Sequence, residues 1–231
     1  LRGLERRTGA RVLLIRKPDR FPEYGDDTPI CFAVDTREAW LGSSVLDRIE
    51  DAAHLDPRER ASFVDDRAGA PLFVVCTHGR RDPCCAERGR PLAEAAAAAG
   101  REAVWESTHV GGDRFAGNVV AFPHGLYFGR VEPEEVAGLM RAYGEGTIAP
   151  LHRYRGRSSD AFHVQAADLG VRDHLRRRMA RGGIAVEVDR AGAVFAGDRH
   201  QRRLDREDHA RHQFLERART AVSAARFTAC I

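Results

Sequence analysis

The stretch FVVCTHGRRDPCC, residues 73–85, decides the fold of this 231-residue chain. Its first three residues are apolar and include two valines, which predicts a short strand buried on both faces. The loop that follows carries Cys76, Cys84 and Cys85 and contains both glycine and proline. The next run, ERGRPLAEAAAAAG, predicts a helix closed by Gly100. The stretch therefore predicts a strand–loop–helix unit whose loop carries thiol groups.

A second strand and a second loop follow this helix. The run AVWEST, residues 103–108, predicts a strand that leads into HVGGDRFAGN at residues 109–118. This loop offers the imidazole of His109 and the carboxylate of Asp113, and its glycines allow the backbone to approach a bulky group. Two strand ends therefore each present metal ligands on a glycine-bearing loop. The sequence predicts a metal site here, and the clustered thiols favour an iron–sulfur cluster.

The order of the elements around these loops indicates the fold class. The run NVVAFPHGLYFGRV, residues 118–131, predicts an antiparallel hairpin around a Pro-His-Gly turn. Residues 132–143 predict a helix, with Pro133 in the first turn and acidic side chains near the positive end of the helix dipole. The order β-α-β-β-β-α is typical of a thioredoxin-like domain. We therefore predict an α/β fold with a thioredoxin-like core.

Further α/β segments flank the core on both sides. On the N-terminal side, the sequence predicts strands at residues 10–16 and 29–35, a helix at residues 36–53 and a polar linker. On the C-terminal side, it predicts a Gly/Arg/Ser-rich connection at residues 144–159, a helix at 160–180, a hairpin at 184–198 and a helix at 205–225. The predicted division is an N-terminal segment (1–65), a core domain (66–150) and a C-terminal segment (151–231).

The composition excludes several classes of function. Hydrophobic residues make up 43% of the chain and charged residues 31%, as in an ordinary globular protein. Because no run of 18 apolar residues occurs, we expect no membrane span and a cytoplasmic location. The formal net charge is +3, and the arginines do not gather into a stripe with interleaved aromatics. We therefore expect no nucleic-acid partner.

The cysteines point to a metal or to redox chemistry. The chain has five of them, and an odd count with two adjacent members argues against a disulfide framework. We interpret Cys31 as a small core hydrophobe. The clustered thiols at residues 76–85 then remain as candidate ligands.

The motifs together resemble the sucrase/ferredoxin-like family, a branch of the thioredoxin-like [2Fe-2S] ferredoxins. The resemblance covers residues 71–132, in which CTHGRRDPCC, WESTHVGGDRFAGN and PHGLYFGRV occur in the family's order. Family members carry a cysteine, a histidine two residues later, an Arg-Asp pair and a second cysteine nine residues after the first. In this sequence those positions are Cys76, His78, Arg81-Asp82 and Cys85.

The resemblance implies a thioredoxin-like ferredoxin core that binds a [2Fe-2S] cluster and exchanges electrons with a redox partner protein. The family's second loop has the form His-x-Gly-Gly-His, with both histidines as ligands. Here His109 is the first, but Asp113 occupies the second position. A carboxylate is negative and harder than an imidazole, so we expect a lower reduction potential than a bis-histidine site has. The implied ligands are Cys76, Cys85, His109 and Asp113, with Cys84, His78 or His124 as alternatives to Asp113.

Two other functions stay open. We expect an electron carrier more than a catalyst and assign no catalytic residue. A thioredoxin-class thiol enzyme using Cys84-Cys85 or Cys76 is one alternative, although the Cys-x-x-Cys motif is absent. A zinc site with the same four ligands is the other, because its donor types suit tetrahedral zinc. Metal content distinguishes the three.

Overall fold

The computed structural model of the protein describes residues 2–18, 28–64, 70–80, 82–182, 185–188, 194–197 and 226–230. Its helices are α1 (Arg2–Thr8), α2 (Pro83–Gly100), α3 (Pro133–Gly144) and α4 (Phe162–Gly182). Its strands are β1 (Ala10–Leu13), β2 (Ile15–Arg16), β3 (Ile30–Asp35), β4 (Trp40–Val45), β5 (Leu72–Cys76), β6 (Val104–Ser107), β7 (Val119–Phe122), β8 (Leu126–Phe128), β9 (Tyr154–Arg157), β10 (Ala185–Val188), β11 (Val194–Gly197) and β12 (Arg226–Cys230).

A six-stranded sheet in the order β2-β6-β5-β7-β8-β9 forms the centre. Strands β5 and β6 are parallel, because α2 crosses between them, and the other pairs are antiparallel. The order β5-α2-β6-β7-β8-α3 along the chain is the predicted one. The fold is therefore the expected thioredoxin-like α/β arrangement.

Both faces of the central sheet are covered, since successive residues of β5 point to opposite sides. Phe73 packs in one core with Leu92 of α2. Val74 and Cys76 pack on the opposite side, in a core that includes Phe32 of β3. Phe32 and Trp105 meet edge to face across this second core, with ring centroids 5.5 Å apart. Cys76 therefore lies between the central sheet and the layer that covers it.

That covering layer is a four-stranded sheet in the order β1-β12-β3-β4. It joins both ends of the chain, because β12 lies parallel to β1 and antiparallel to β3. Strands β1 and β2 are separated by Leu14 and belong to different sheets. The predicted single strand at residues 10–16 thus crosses from one layer to the other. The division of the chain at residues 65 and 150 stays a prediction.

The helix predicted at residues 36–53 is wrong. Strand β4 occupies residues 40–45 and pairs with β3 in an antiparallel hairpin, and a 3₁₀ helix follows at Ile49–His54. The apolar positions fit both periods over so short a run, and Gly42 with two serines disfavours a helix. The added Cβ of an alanine at Gly42 would also lie 2.7 Å from the Trp40 ring.

The flanking elements otherwise divide into confirmed and missed ones. Helix α4 runs through Gly170 without a break, and β10 and β11 form the predicted hairpin. Strand β9, which pairs with β8, lies in the stretch predicted as an irregular connection, and α1 was not expected. The helix predicted at residues 205–225 lies outside the described residues. Within the described chain, none of the helices has the length and apolar character that a membrane crossing requires.

Cys31 differs from its interpretation as a simple core hydrophobe. Its side chain is fully buried and is disulfide-bonded. The backbone register of β3 and β12 sets residue 31 directly opposite residue 230. The disulfide of Cys31 could not be predicted from the order of residues, because it depends on the insertion of β12 into the N-terminal sheet.

Candidate metal centre

The first loop of the site is fixed by local signals in the sequence. Strand β5 ends at Cys76, whose backbone N–H donates to the Asn118 carbonyl oxygen at 3.1 Å. Helix α2 begins after Asp82, whose carboxylate accepts from the Cys84 N–H at 2.9 Å, and Pro83 occupies the first helical turn. An acidic cap and an early proline both favour a helix start. Cys85 therefore lies in the first turn of α2.

A close approach of helix and strand brings the two thiols together. At Gly89 an added Cβ would lie 2.0 Å from the carbonyl oxygen of Cys76. Only glycine permits this contact between α2 and the end of β5. Cys76 and Cys85 are each 1% exposed and belong to the same apolar core. The first loop thus presents two thiols that are shielded from water.

The second loop, residues 109–118, turns back on itself at two glycines. Gly111 has φ 94° and Gly112 has φ 69°, a left-handed conformation that glycine adopts without strain. The buried Asn118 side chain donates from Nδ2 to the Gly112 carbonyl oxygen at 2.9 Å. This amide therefore braces the loop from inside.

Two side chains from other elements hold the same loop. The Tyr127 hydroxyl donates to the Gly111 carbonyl oxygen at 2.7 Å. Nη2 of Arg11 donates to the His109 carbonyl oxygen at 3.0 Å. Sequence reasoning assigned no role to Tyr127 or Arg11. Nothing in the order of residues connects Arg11 to His109, since 98 positions separate them.

The two loops meet at the thiols. The sulfurs of Cys76 and Cys85 and a ring nitrogen of His109 all lie within 4.8 Å of one another. Oδ1 of Asp113 lies 3.8 Å from Nε2 of His109, and the Asp113 side chain is half exposed. The Cys84 sulfur contacts the Asp113 carbonyl oxygen at 3.4 Å. Three of the four predicted ligands therefore converge, and the fourth lies beside the imidazole.

The protein environment disfavours negative charge on these thiols when no cation is bound. Burial, together with the neighbouring Cys76, raises the pKa of Cys85 to about 12. The pKa of Cys84 is raised chiefly by its hydrogen bond with Asp82, and further by desolvation. The same hydrogen bond lowers the pKa of the Asp82 carboxyl. A metal cation would reverse this cost by taking the place of the protons.

The other candidate ligands stand apart from the Cys76–Cys85–His109 group. His124 at the hairpin turn places Nδ1 2.7 Å from the Tyr143 hydroxyl, on the face of the sheet that packs against α3. His78 is half-buried and does not belong to the group. The sulfur of Cys84 contacts the Asp113 carbonyl oxygen and does not belong to the converging group. Arg81 of the Arg-Asp pair lies outside the described residues.

Fold and site together define a thioredoxin-like protein with two thiols and an imidazole gathered where two loops meet. The chain belongs to the sucrase/ferredoxin-like family, whose model matches residues 21–156. The resemblance drawn from the motifs is thereby confirmed.

Two curated relatives share the name "Altered inheritance of mitochondria protein 32". The protein from Debaryomyces hansenii is 25% identical over 156 residues, which is 56% of this chain and 57% of that protein. The protein from Meyerozyma guilliermondii is 33% identical over 96 residues, 37% of this chain and 34% of that protein. The chain thus spans about half or less of the length of these relatives. No solved structure matches it.

Proposed function

We propose that this protein is a one-electron carrier that binds a [2Fe-2S] cluster through Cys76, Cys85, His109 and Asp113. The observation that carries the proposal is the convergence of two thiol sulfurs and an imidazole nitrogen within 4.8 Å. Thiolates are the usual ligands of such clusters, and imidazole replaces them on one iron in Rieske centres. When bound, the cluster supplies the one-electron oxidation and reduction.

The chain's own residues supply binding, shielding and orientation. Burial of Cys76 and Cys85 keeps water from the sulfurs, which supports a cluster that is stable in its reduced and oxidised states. The hydrogen bonds of Asn118 and Tyr127 to the glycine carbonyls fix the path of the second loop. His109 then has a defined position for coordination at the other iron.

Asp113 is the proposed fourth ligand because its carboxylate lies beside the imidazole. The 3.8 Å between Asp113 Oδ1 and His109 Nε2 suits two groups that bind at neighbouring coordination positions. Cys84 is the strongest alternative, since its sulfur lies against the Asp113 backbone. A carboxylate adds negative charge, so the reduction potential is expected to be lower than that of a bis-histidine site.

Analysis of anaerobically purified protein tests the proposal. We expect about two irons and two acid-labile sulfides per chain, a brown colour, and an EPR signal on one-electron reduction. The variant Asp113→Ala should change the visible and EPR spectra, whereas Asp47→Ala, an exposed aspartate elsewhere, should leave them unchanged. Unaltered spectra in Asp113→Ala would assign the fourth position to another residue, with Cys84→Ala as the next variant.

A single zinc ion is the second candidate, and the same distance favours it. Zinc binds sulfur at about 2.3 Å and nitrogen at about 2.0 Å, and tetrahedral angles then place its ligand atoms about 3.5–3.8 Å apart. Ligand atoms that already lie within 4.8 Å of one another need only a small inward movement to reach that spacing. Colourless protein with one zinc per chain and no sulfide would replace the iron–sulfur proposal by this one.

The thiol-enzyme alternative has less support. Catalytic thiols need a low pKa and access to substrate. Cys76 and Cys85 are buried, and the pKa of Cys85 is raised to about 12 by burial. Metal-free protein with a titratable thiol pair would favour this alternative.

A redox partner protein and a cytoplasmic location complete the proposal. The composition supports the cytoplasmic location. The name of the two relatives refers to mitochondria, and it describes those proteins. Fractionation of cells that produce the tagged protein, with the iron content measured in each fraction, tests the location.

A further inference from the structure

Three arginines gather around one aromatic ring beside the metal centre. The guanidinium carbons of Arg114, Arg130 and Arg155 lie 5.1, 5.5 and 5.2 Å from the centroid of the Phe115 ring. We call these three residues the arginine cluster. Arg114 and Arg130 are exposed, and Arg155 is half-buried. Attraction to the face of the ring accounts for part of this arrangement.

Within the part of the chain that the structure describes, the arginine cluster is not paired with carboxylates. Among the described residues, no ion pair joins any of the three arginines to an aspartate or glutamate. Nε of Arg155 is buried and has no hydrogen-bond partner among them. Burial lowers the pKa of Arg155, and the like charge of Arg130 lowers it further. Cations held together without a counter-charge create a strong local attraction for anions.

Backbone strain is present at the same place. Arg130 has φ 57°, a left-handed conformation that is strained for a residue with a side chain. Its backbone N–H donates to the Phe115 carbonyl oxygen at 2.7 Å, which ties it to the ring that it covers. Strain of this kind collects at functional positions. Glycine would relieve it and remove the charge.

The cluster adjoins the loop that carries the candidate ligands. An added Cβ at Gly112 would lie 3.8 Å from the Phe115 ring, so the ring packs against the turn between His109 and Asp113. Phe115 itself follows Asp113 in the same 3₁₀ turn. A molecule bound at the arginine cluster would therefore lie next to the loop that carries His109 and Asp113.

We propose that the arginine cluster is the docking surface for an acidic redox partner protein, which presents carboxylates to Arg114, Arg130 and Arg155. This inference rests on the proposed electron-carrier function and names the kind of partner it serves. The two exposed arginines lie on separate segments of the chain, an arrangement that suits a broad acidic face more than a small ion. Charge complementarity of this kind accelerates association and makes it sensitive to salt.

Binding of a fluorescein-labelled octaglutamate peptide, followed by fluorescence anisotropy, tests the surface without requiring a metal. We expect binding that weakens strongly as salt rises to about 0.2 M. The triple variant Arg114→Gln/Arg130→Gln/Arg155→Gln should bind about tenfold more weakly. The control Arg6→Gln/Arg48→Gln/Arg141→Gln removes three exposed arginines elsewhere and should bind as the wild type does. Equal loss in both triple variants would overturn the proposal.

Arg155 donates to backbone carbonyls of His152 and Tyr154, so its loss could unsettle the fold. The double variant Arg114→Gln/Arg130→Gln keeps Arg155 and should still weaken binding of the peptide several-fold. Displacement of the peptide by inorganic phosphate at a concentration well below that of the competing salt would indicate a small-anion site and overturn docking of a protein.

Electron transfer provides a second readout on the iron-containing protein. Each reduced protein molecule gives one electron to hexacyanoferrate(III), forming hexacyanoferrate(II). With this anionic oxidant, the wild type should react about tenfold faster than the triple variant at low salt. With the cationic oxidant hexaammineruthenium(III), the wild type should react no faster than the triple variant. Equal rates with hexacyanoferrate(III) would contradict the surface. Metal-free protein would instead refute the electron-carrier function, while peptide binding would still decide the surface.

Discussion

The two loops that carry the candidate ligands are held in place by different means. The first, residues 76–85, is fixed by its own neighbours: an acidic helix cap at Asp82 and a glycine contact between α2 and β5. The second, residues 109–118, is held by its own Asn118 and by two side chains from elsewhere, Arg11 and Tyr127, which donate to its carbonyl oxygens. The first loop buries its ligands, and the second leaves Asp113 half exposed.

This difference assigns separate tasks to the loops. Under the proposed function, the buried thiols at the start of α2 would hold the metal in place. The second loop, with Asp113 half exposed, would tune the properties of that metal. Substitutions in the first loop should therefore have larger effects than those in the second.

Gly89→Ala should have the largest effect of all. The added Cβ would lie 2.0 Å from the Cys76 carbonyl oxygen and 3.0 Å from its carbon, so α2 must move away from β5. We expect a loss of about 3 kcal/mol in the free energy of unfolding, measured by urea denaturation, because the contact is with backbone that cannot yield. Gly138→Ala in α3 is the control. Nothing lies within 4 Å of its added Cβ, and it should stabilise the helix by about 0.5–1 kcal/mol. An equal change in the free energy of unfolding in the two variants would contradict the inference that α2 packs closely against β5 at Gly89.

Substitutions of the adjacent Cys84 and Cys85 should differ in their effects on metal content. Cys85→Ser removes a buried sulfur of the converging group, and we expect metal per chain to fall at least about tenfold. Cys84→Ser changes a sulfur that lies outside the Cys76–Cys85–His109 group and contacts the Asp113 backbone, so most of the metal should remain. Elemental analysis of both variants, purified side by side, measures this. A larger loss of metal in Cys84→Ser than in Cys85→Ser would mean that Cys84, and not Cys85, is the ligand.

The sequence predicted the first loop well because every signal for it is local. The buried strand and the alanine-rich helix follow one another within residues 72–100, and each has a preference that needs no distant partner. The helix begins at Pro83, with its cap at Asp82, and not at Glu87 as predicted. The four candidate ligands were implied by the resemblance of the motifs to the sucrase/ferredoxin-like family, and not by such local signals. The contact at Gly89 could not be predicted, since it depends on the distance between helix and strand.

The other elements and contacts depend on strand pairings that the order of residues does not show. Trp40, Leu41 and Val45 fit a helix as well as a strand, and only pairing with β3 decides between them. The insertion of β12 between β1 and β3 is a choice of strand order. Arg11 and Tyr127 became visible as supports of the second loop only when the sheets were assembled.

Tyr127→Phe should have the smallest effect and sharpens the comparison most. It keeps the ring that packs against the core and removes only the hydroxyl that donates to Gly111. We expect a loss of about 0.5–1.5 kcal/mol in the free energy of unfolding, as for one hydrogen bond. The loosened loop should also release metal to a chelator several-fold faster.

Tyr143→Phe is the matched control for this variant, because its hydroxyl lies 2.7 Å from a ring nitrogen of His124, away from the metal centre. The two variants should lose similar stability, yet only Tyr127→Phe should release metal faster than the wild type. Equal release rates would mean that the hydroxyl of Tyr127 stabilises the fold in general. The second loop would then not depend on it for holding His109, and the contrast between the loops would rest on Arg11 alone.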